Sequence, residues 1–184
     1  MTPIKNKISV WLLSCCVLLS CQQKTANVQE DIMKHYSEIN KKLKDYKIKH
    51  VDDIRWAAGD AITGYYRDEE VKKIVSERFT DTCRTFTEYY FDDGMLIFVL
   101  KQNFVYNKPV SYTMEKANAL GDSVWYDDKK TVLQVSRFFF NKNKMVKWIS
   151  FDNKEVSDKT WTFTNKESSL WAEALVLLKE LKEQ

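Results

Sequence analysis

Between Val28 and Tyr46 the apolar positions are Val28, Ile32, Tyr36, Ile39, Leu43 and Tyr46. Spacings of three and four residues predict a helix with one apolar stripe. Lys34, Glu38, Lys41, Lys42 and Lys44 take the opposite side. Further along, the period falls to two, which predicts strands. Three stretches, "GYYRDEEVKKI", "YYFDDGMLIFV" and "FFFNKNKMVKW", align without gaps when Tyr66, Phe91 and Phe140 are matched. Each runs from aromatic residues through polar turn-formers into an apolar strand. Gly94 and Asn143 fall at the same place, where a hairpin loop needs positive φ.

Three hairpins predict an antiparallel sheet of about six strands. Around Gly94 both faces are apolar, with Tyr89, Phe91, Leu96 and Phe98 on one and Tyr90, Ile97 and Val99 on the other. Central strands covered on both sides have that composition. The first hairpin carries Lys72 and Lys73, which suits an edge and predicts that Lys73 faces solvent. At the C-terminus, Thr164 to Glu167 ("TNKE") fits a capping box. Leu170, Ala174, Leu177, Leu178 and Leu181 then form one wide helical face that should lie across the sheet. The fold class predicted is α+β, one sheet flanked by an N-terminal and a C-terminal amphipathic helix, in a single domain over residues 28–184.

Ahead of that domain the pattern is different. "MTPIKNK" is cationic, and "ISVWLLSCCVLLS" has no charge. This is the layout of a secretory signal over residues 1–20. Ile8 to Leu19 is short of the roughly 20 residues a membrane span needs. "LLSC" (Leu18 to Cys21) resembles the lipobox of bacterial lipoproteins. That resemblance implies a diacylglyceryl group on the Cys21 thiol and cleavage just before it. "LLSC" also occurs at Leu12 to Cys15, but cutting there would leave "CVLLS" on the mature chain, so Cys21 is the better site. An ordinary signal peptide and an uncleaved short anchor are the competing readings. Several acyl chains on one cysteine hold a protein at a membrane, since each buried methylene adds about 0.8 kcal/mol. Residues 21–27 then read as the lipidated cysteine and its polar tether. The expected location is the cell envelope, periplasm-facing or at the cell surface, with the outer membrane favoured over the inner.

The hairpin repeat resembles the aromatic–turn–aliphatic units of YwqK-type antitoxins and MORN-like β-meander proteins. The whole arrangement resembles small Gram-negative lipoproteins of unknown function, which imply no activity.

Charge narrows the partners. Removal of residues 1–20, which carry Lys5 and Lys7, leaves 27 basic against 26 acidic residues of the chain's 29 and 26. A balance of +1 argues against nucleic acid, which selects a concentrated basic face. Of four cysteines, only Cys83 would remain as a thiol, and its alternating context predicts a half-buried strand position. Stability must come from the core rather than from a disulfide.

Candidate chemistry is sparse. His35 and Glu38 share a helical face, and His50 precedes Asp52 and Asp53, but neither set reaches the three or four ligands a metal site requires. No metal or cofactor is predicted. Asp92–Asp93, Asp127–Asp128 and Glu69–Glu70 could supply a hydrolytic carboxylate pair, yet turns recruit acids for local hydrogen bonds. The connection Tyr106 to Lys130 keeps Tyr112, Met114, Trp125 and Tyr126 between two hairpins. It is either a binding loop or a crossover that buries those side chains, with a short helix from Met114 to Leu120. Asp122-Ser123-Val124 resembles an O-glycan acceptor of some Gram-negative lineages, with Ser123 as the acceptor.

The leading functional expectation is a non-enzymatic, membrane-anchored binding module with an envelope protein partner, as an accessory factor or an immunity-type protein. The alternative is a carrier holding lipid or another apolar ligand in a sheet-and-helix pocket of several hundred Å³. A hydrolase using a carboxylate pair comes third.

Overall fold

The computed structural model describes residues 28–52 and 60–183. Residues 28–41 are helical (α1). A 3₁₀ turn at Leu43–Asp45 leads into β1 (Lys47–Asp52). There follow β2 (Ala61–Arg67), β3 (Glu70–Phe79), β4 (Cys83–Asp92), β5 (Met95–Val105), α2 (Met114–Ala119), β6 (Val132–Asn141), β7 (Lys144–Ile149) and α3 (Trp161–Glu183). The seven strands form one antiparallel sheet in chain order.

The repeat read from the sequence is a repeated hairpin. β2–β3, β4–β5 and β6–β7 each close through two residues with positive φ: Asp68 and Glu69 (51°, 67°), Asp93 and Gly94 (47°, 71°), Lys142 and Asn143 (51°, 62°). Positive φ at both positions defines the type I′ turn, whose twist matches that of the strands. Only one copy uses glycine. The turns are tied to each other instead: Gly94 N donates to Glu70 Oε1 at 3.0 Å, and Leu96 N donates to Asn143 Oδ1 at 3.0 Å.

Each hairpin also carries a bulge at the same place. Tyr65 pairs with Lys73 and Tyr66 with Val71; Tyr90 with Phe98 and Phe91 with Leu96; Phe139 with Lys147 and Phe140 with Met145. Lys72, Ile97 and Val146 are the extra residues. A one-residue insertion exchanges the faces beyond it. Simple alternation puts Leu96 and Phe98 on one face, and the bulge separates them. Tyr89, Phe91, Leu96 and Val99 pack under α3, whereas Tyr90 and Phe98 pack under α1, with Ile97 against them. The central hairpin is covered on both sides, but with this different division of residues.

The sheet is thus the middle layer between two helices. Beneath α3 lie Ile62, Ile74, Phe138 and Phe140, met by Phe163, Leu170, Ala174, Leu177 and Leu181. Gly64 lets the end of α3 approach β2, because a Cβ there would stand 2.9 Å from Leu181 Cδ1. α3 starts one turn before the capping box anticipated at Thr164. Thr160 is the cap, its Oγ1 accepting from Phe163 N at 3.2 Å, and burial of Phe163 (3 % exposed) fixes that first turn in the core.

Two further expectations are corrected by β1. "KIKHVD" has a single buried residue, Val51, too little for the alternation to declare a strand. Its presence makes the sheet seven-stranded and moves the edge away from the first hairpin. Lys73 does not face solvent either, because α1 covers it: it is 5 % exposed and donates to Asn40 of that helix. Lys72 is 7 % exposed and bridges Glu70 at 2.8 Å and Asp92 at 3.6 Å.

Candidate interaction surface

The side of the sheet that carries α1 can be followed row by row from the registers of β3, β4, β5 and β6. The row beneath α1 is Lys73, Tyr90, Phe98 and Phe139, all buried. A polar lock fastens α1 there. Lys73 Nζ lies 3.0 Å from Glu88 Oε2 and donates to Asn40 Oδ1 at 3.1 Å. Asn40 Nδ2 donates to the Tyr90 hydroxyl at 3.1 Å, and that hydroxyl donates to Glu88 Oε2. The Tyr36 ring meets Tyr90 and Phe98 edge-on, with centroids 4.9 and 5.4 Å away. Burial, and then the Glu88 carboxylate, push the Tyr90 hydroxyl far above the usual phenol range.

The next row, Val75, Glu88, Leu100 and Arg137, is half-buried. Beyond it come Glu77, Phe86, Gln102 and Val135, then Phe79, Arg84, Phe104 and Leu133. None of these eight is buried, and Leu133 is 49 % exposed. The Arg84 guanidinium carbon sits 4.2 Å from the Phe86 ring centroid and 4.9 Å from that of Phe79. Phe86 and Phe104 meet edge-to-face at 5.8 Å. Glu77 approaches Arg84 at 3.7 Å. The result is an open aromatic surface, four strands wide, with a stacked cation near its centre.

The reverse of the same strands differs in kind. Beyond the α3 cluster it presents Thr85 on β4, Lys101 and Asn103 on β5, and Gln134 and Ser136 on β6, with Thr85 Oγ1 donating to Asn103 Oδ1 at 3.0 Å. Burial, and then Lys166, lower the Lys101 pKa. The aromatic rings are therefore confined to one face, while the reverse adds Val105 and the exposed Val132 at the strand ends.

The connection between β5 and β6 lies at the end of the sheet opposite the type I′ turns. It brings together three of the four residues singled out there. Tyr126 N donates to Tyr112 O at 2.9 Å, and Asn107 Nδ2 donates to Trp125 O at 2.9 Å. All three rings are half-buried. Tyr126 also stacks edge-on with Tyr106 at 5.4 Å. Met114 opens α2, capped by Thr113, and is 47 % exposed. The loop is anchored to the β3–β4 turn: Ser111 N and Oγ donate to the Asp81 carboxylate at 2.9 and 2.7 Å, and these bonds hold Asp81 below the usual carboxylate range. Ser123 is exposed, between Asp122 and Val124, whose N–H donates to Asp122 Oδ1 at 3.0 Å. Cys21 lies outside the described residues.

The acidic pairs sit in turns and at the strand ends beside them, where they make ion pairs and hydrogen bonds. Asp92 meets His35 at 3.2 Å and the buried Lys72, and His50 meets Asp52 at 3.3 Å. Cys83 is half-buried at the start of β4, its Sγ 3.3 Å from Thr80 Oγ1. Among the described residues, no three of His, Cys, Asp and Glu converge on a point that could hold a metal ion.

The open surface was not singled out by sequence reading. Its signal is present in "TFTEYYF" and "LKQNF", where Phe86 and Phe104 extend the two-residue period of Tyr90 and Phe98 beyond the reach of a short α1. A search of family models, of curated proteins and of solved structures found no match to this chain.

Proposed function

We propose that this chain is a membrane-tethered binding module of the cell envelope. It is held by lipid on Cys21 and engages an envelope protein through the open aromatic half of its sheet. The surface around Phe86, Phe104 and Arg84 carries this reading. Four strands spaced about 4.8 Å apart and two rows of side chains about 7 Å apart give a footprint of about 270 Å². A stable globular interface needs about 800 Å² per partner, so the occupant is a segment rather than a whole face. Helices pack at interaxial distances of about 8–10 Å, and a partner helix laid beside α1 covers the uncovered rows. Arg84 is the cation of these rows, and Glu77, the acid of the same rows, approaches it only to 3.7 Å. The partner segment is an amphipathic helix, apolar inward, with a carboxylate that meets Arg84.

Two measurements test the two halves of the proposal. Cys21→Ser should abolish lipid labelling and release the chain from membranes; release by Cys15→Ser alone would move the lipidation site. For the surface, a photo-crosslinker at Leu133 in the membrane-bound chain should capture one protein at an apolar segment containing Asp or Glu. Arg84→Glu should lower capture at least tenfold. Capture of lipid only, or capture indifferent to Arg84→Glu, overturns the partner assignment.

A further inference from the structure

β1, the β2–β3 hairpin and the end of α3 frame a cavity of about 350 Å³ at the edge of the sheet. The register explains its walls. Lys47, Lys49 and Val51 alternate with Ile48 and His50 along β1 and so share a face, the one that packs Val51 under α3. Lys47 stands opposite Tyr66, and Lys49 stands opposite Gly64, which offers it no side chain. A Cβ on Gly64 would meet Tyr66 Cε2 and Leu181 Cδ1, each at 2.9 Å. Its absence lets both side chains approach the strand, and with Val71 they give the cavity an apolar lining. Lys182, in the last turn of α3, completes the wall.

The charge of this lining is one-sided. Its acid is Glu69, which pairs with Lys47 at 4.0 Å. Among the described residues no carboxylate pairs with Lys49 or Lys182, although Lys49 is half-buried. The α3 C-terminus adds about half a negative charge, less than the two unpaired ammoniums supply. Burial, and then Glu69, raise the Tyr66 pKa, so its hydroxyl stays a neutral donor. Protection of a sheet edge also recruits lysine. That need does not place both lysines of β1 on the cavity side while Ile48, on the other, is left 58 % exposed.

We propose that this cavity binds a free, small anionic amphiphile. Its carboxylate or phosphate sits between Lys49 and Lys182, and its apolar part lies on Val71, Leu181 and the Tyr66 ring. Ligand pockets span about 300–1,000 Å³, and a volume near the lower limit suits a head group with a short chain rather than a whole phospholipid. The cavity lies on the face of the sheet opposite the open aromatic rows, so the two sites stand or fall separately.

Equilibrium dialysis of labelled octanoate against the full chain in phosphatidylcholine nanodiscs, corrected for empty nanodiscs, tests the site. Binding should saturate at one octanoate per chain. Octanol, which has the chain without the charge, should bind at least tenfold more weakly. Lys49→Gln with Lys182→Gln should weaken octanoate at least tenfold, while Lys144→Gln, at an exposed lysine that opens β7, should leave it unchanged. Glu69→Gln should tighten binding at least twofold, a gain that a damaged fold would not give. Loss of octanoate binding when the nanodisc carries phosphatidylglycerol would name a membrane phospholipid as the occupant and overturn the assignment to a free amphiphile. Non-saturable uptake, octanol bound as tightly as octanoate, or indifference to the paired lysine variant each overturns the site itself.

Discussion

Replacement of Lys73 by alanine removes the centre of the lock between α1 and the sheet. Lys73 is 5 % exposed, and its ammonium is shared between Glu88 at 3.0 Å and Asn40 Oδ1 at 3.1 Å, 5.0 Å above the Tyr90 ring. Loss of one partner of a buried ion pair costs about 3–5 kcal/mol, because the other charge is left uncompensated. The Glu88 side chain keeps 20 % exposure and the Tyr90 hydroxyl as donor, which lowers the expected cost to about 2–4 kcal/mol. At about 2–4 °C per kcal/mol for a chain of this size, the melting temperature should fall by about 5–15 °C. Lys73→Met with Glu88→Gln removes the unpaired charge but keeps an acceptor for Tyr90, and should recover at least half of that loss. Urea unfolding of the chain from Gln22, followed by circular dichroism, measures all three variants. Lys73→Ala within about 0.5 kcal/mol of the parent would refute the lock, since surface substitutions behave that way.

Phe98→Ala should cost about 3–5 kcal/mol, while Phe86→Ala, on the open rows, should cost about 1 kcal/mol or less; thermal melts would show the contrast, and equal losses would contradict the boundary drawn beyond α1. High pH should also weaken the fold. The Tyr90 pKa is raised in the folded state, so its contribution is complete below the unfolded value of about 10 and declines as pH rises above it. Tyr90→Phe should flatten that part of a stability–pH profile, and an unchanged profile would assign the alkaline loss to other groups. If Ser123 carries a glycan in the native host, the intact mass of Ser123→Ala should drop by the whole glycan and leave the melt unchanged; identical glycan content in both proteins rules out the site.

The elements with strong local signals were legible. α1 has its stripe, and the hairpins have their aromatic–turn–aliphatic order. The short helix expected from Met114 to Leu120 in the crossover reading is present as Met114–Ala119, with Leu120 as its C-cap. What escaped was set by context. β1 buries only Val51, so its half-apolar pattern carries no strand signal until β2 pairs with it. The bulges at Lys72, Ile97 and Val146 leave no mark in the alternation, yet they decide which face receives Phe98. Lys73 looked like an edge lysine because Glu88 and Asn40, 15 and 33 positions away, are not its neighbours along the chain. The open rows were hidden for a related reason. Phe86 and Phe104 have the same period as buried residues, and only the position of α1 distinguishes them.

The uncovered half follows from the dimensions of the parts. β3, β4 and β6 have 10 residues and β5 has 11, which makes them about 33–37 Å long. A helix is about 10 Å across, and one crosses each face. α1 packs near the type I′ turns, and α3 covers the same half of the other face and reaches on to Ile62 and Arg78. The half near those turns holds the buried aromatic residues and the buried lysines, so it supplies the packing the fold depends on. Nothing in that packing requires the other half of the strands to carry aromatic rings on one side and none on the reverse. A face that only needed solubility would carry the lysines and acids that cover α1 outside, as the reverse carries threonine, asparagine and glutamine. The confinement of Phe79, Phe86, Phe104, Leu133 and Val135 to one face, around a stacked arginine, therefore points to a contact made by the folded protein rather than to the making of the fold.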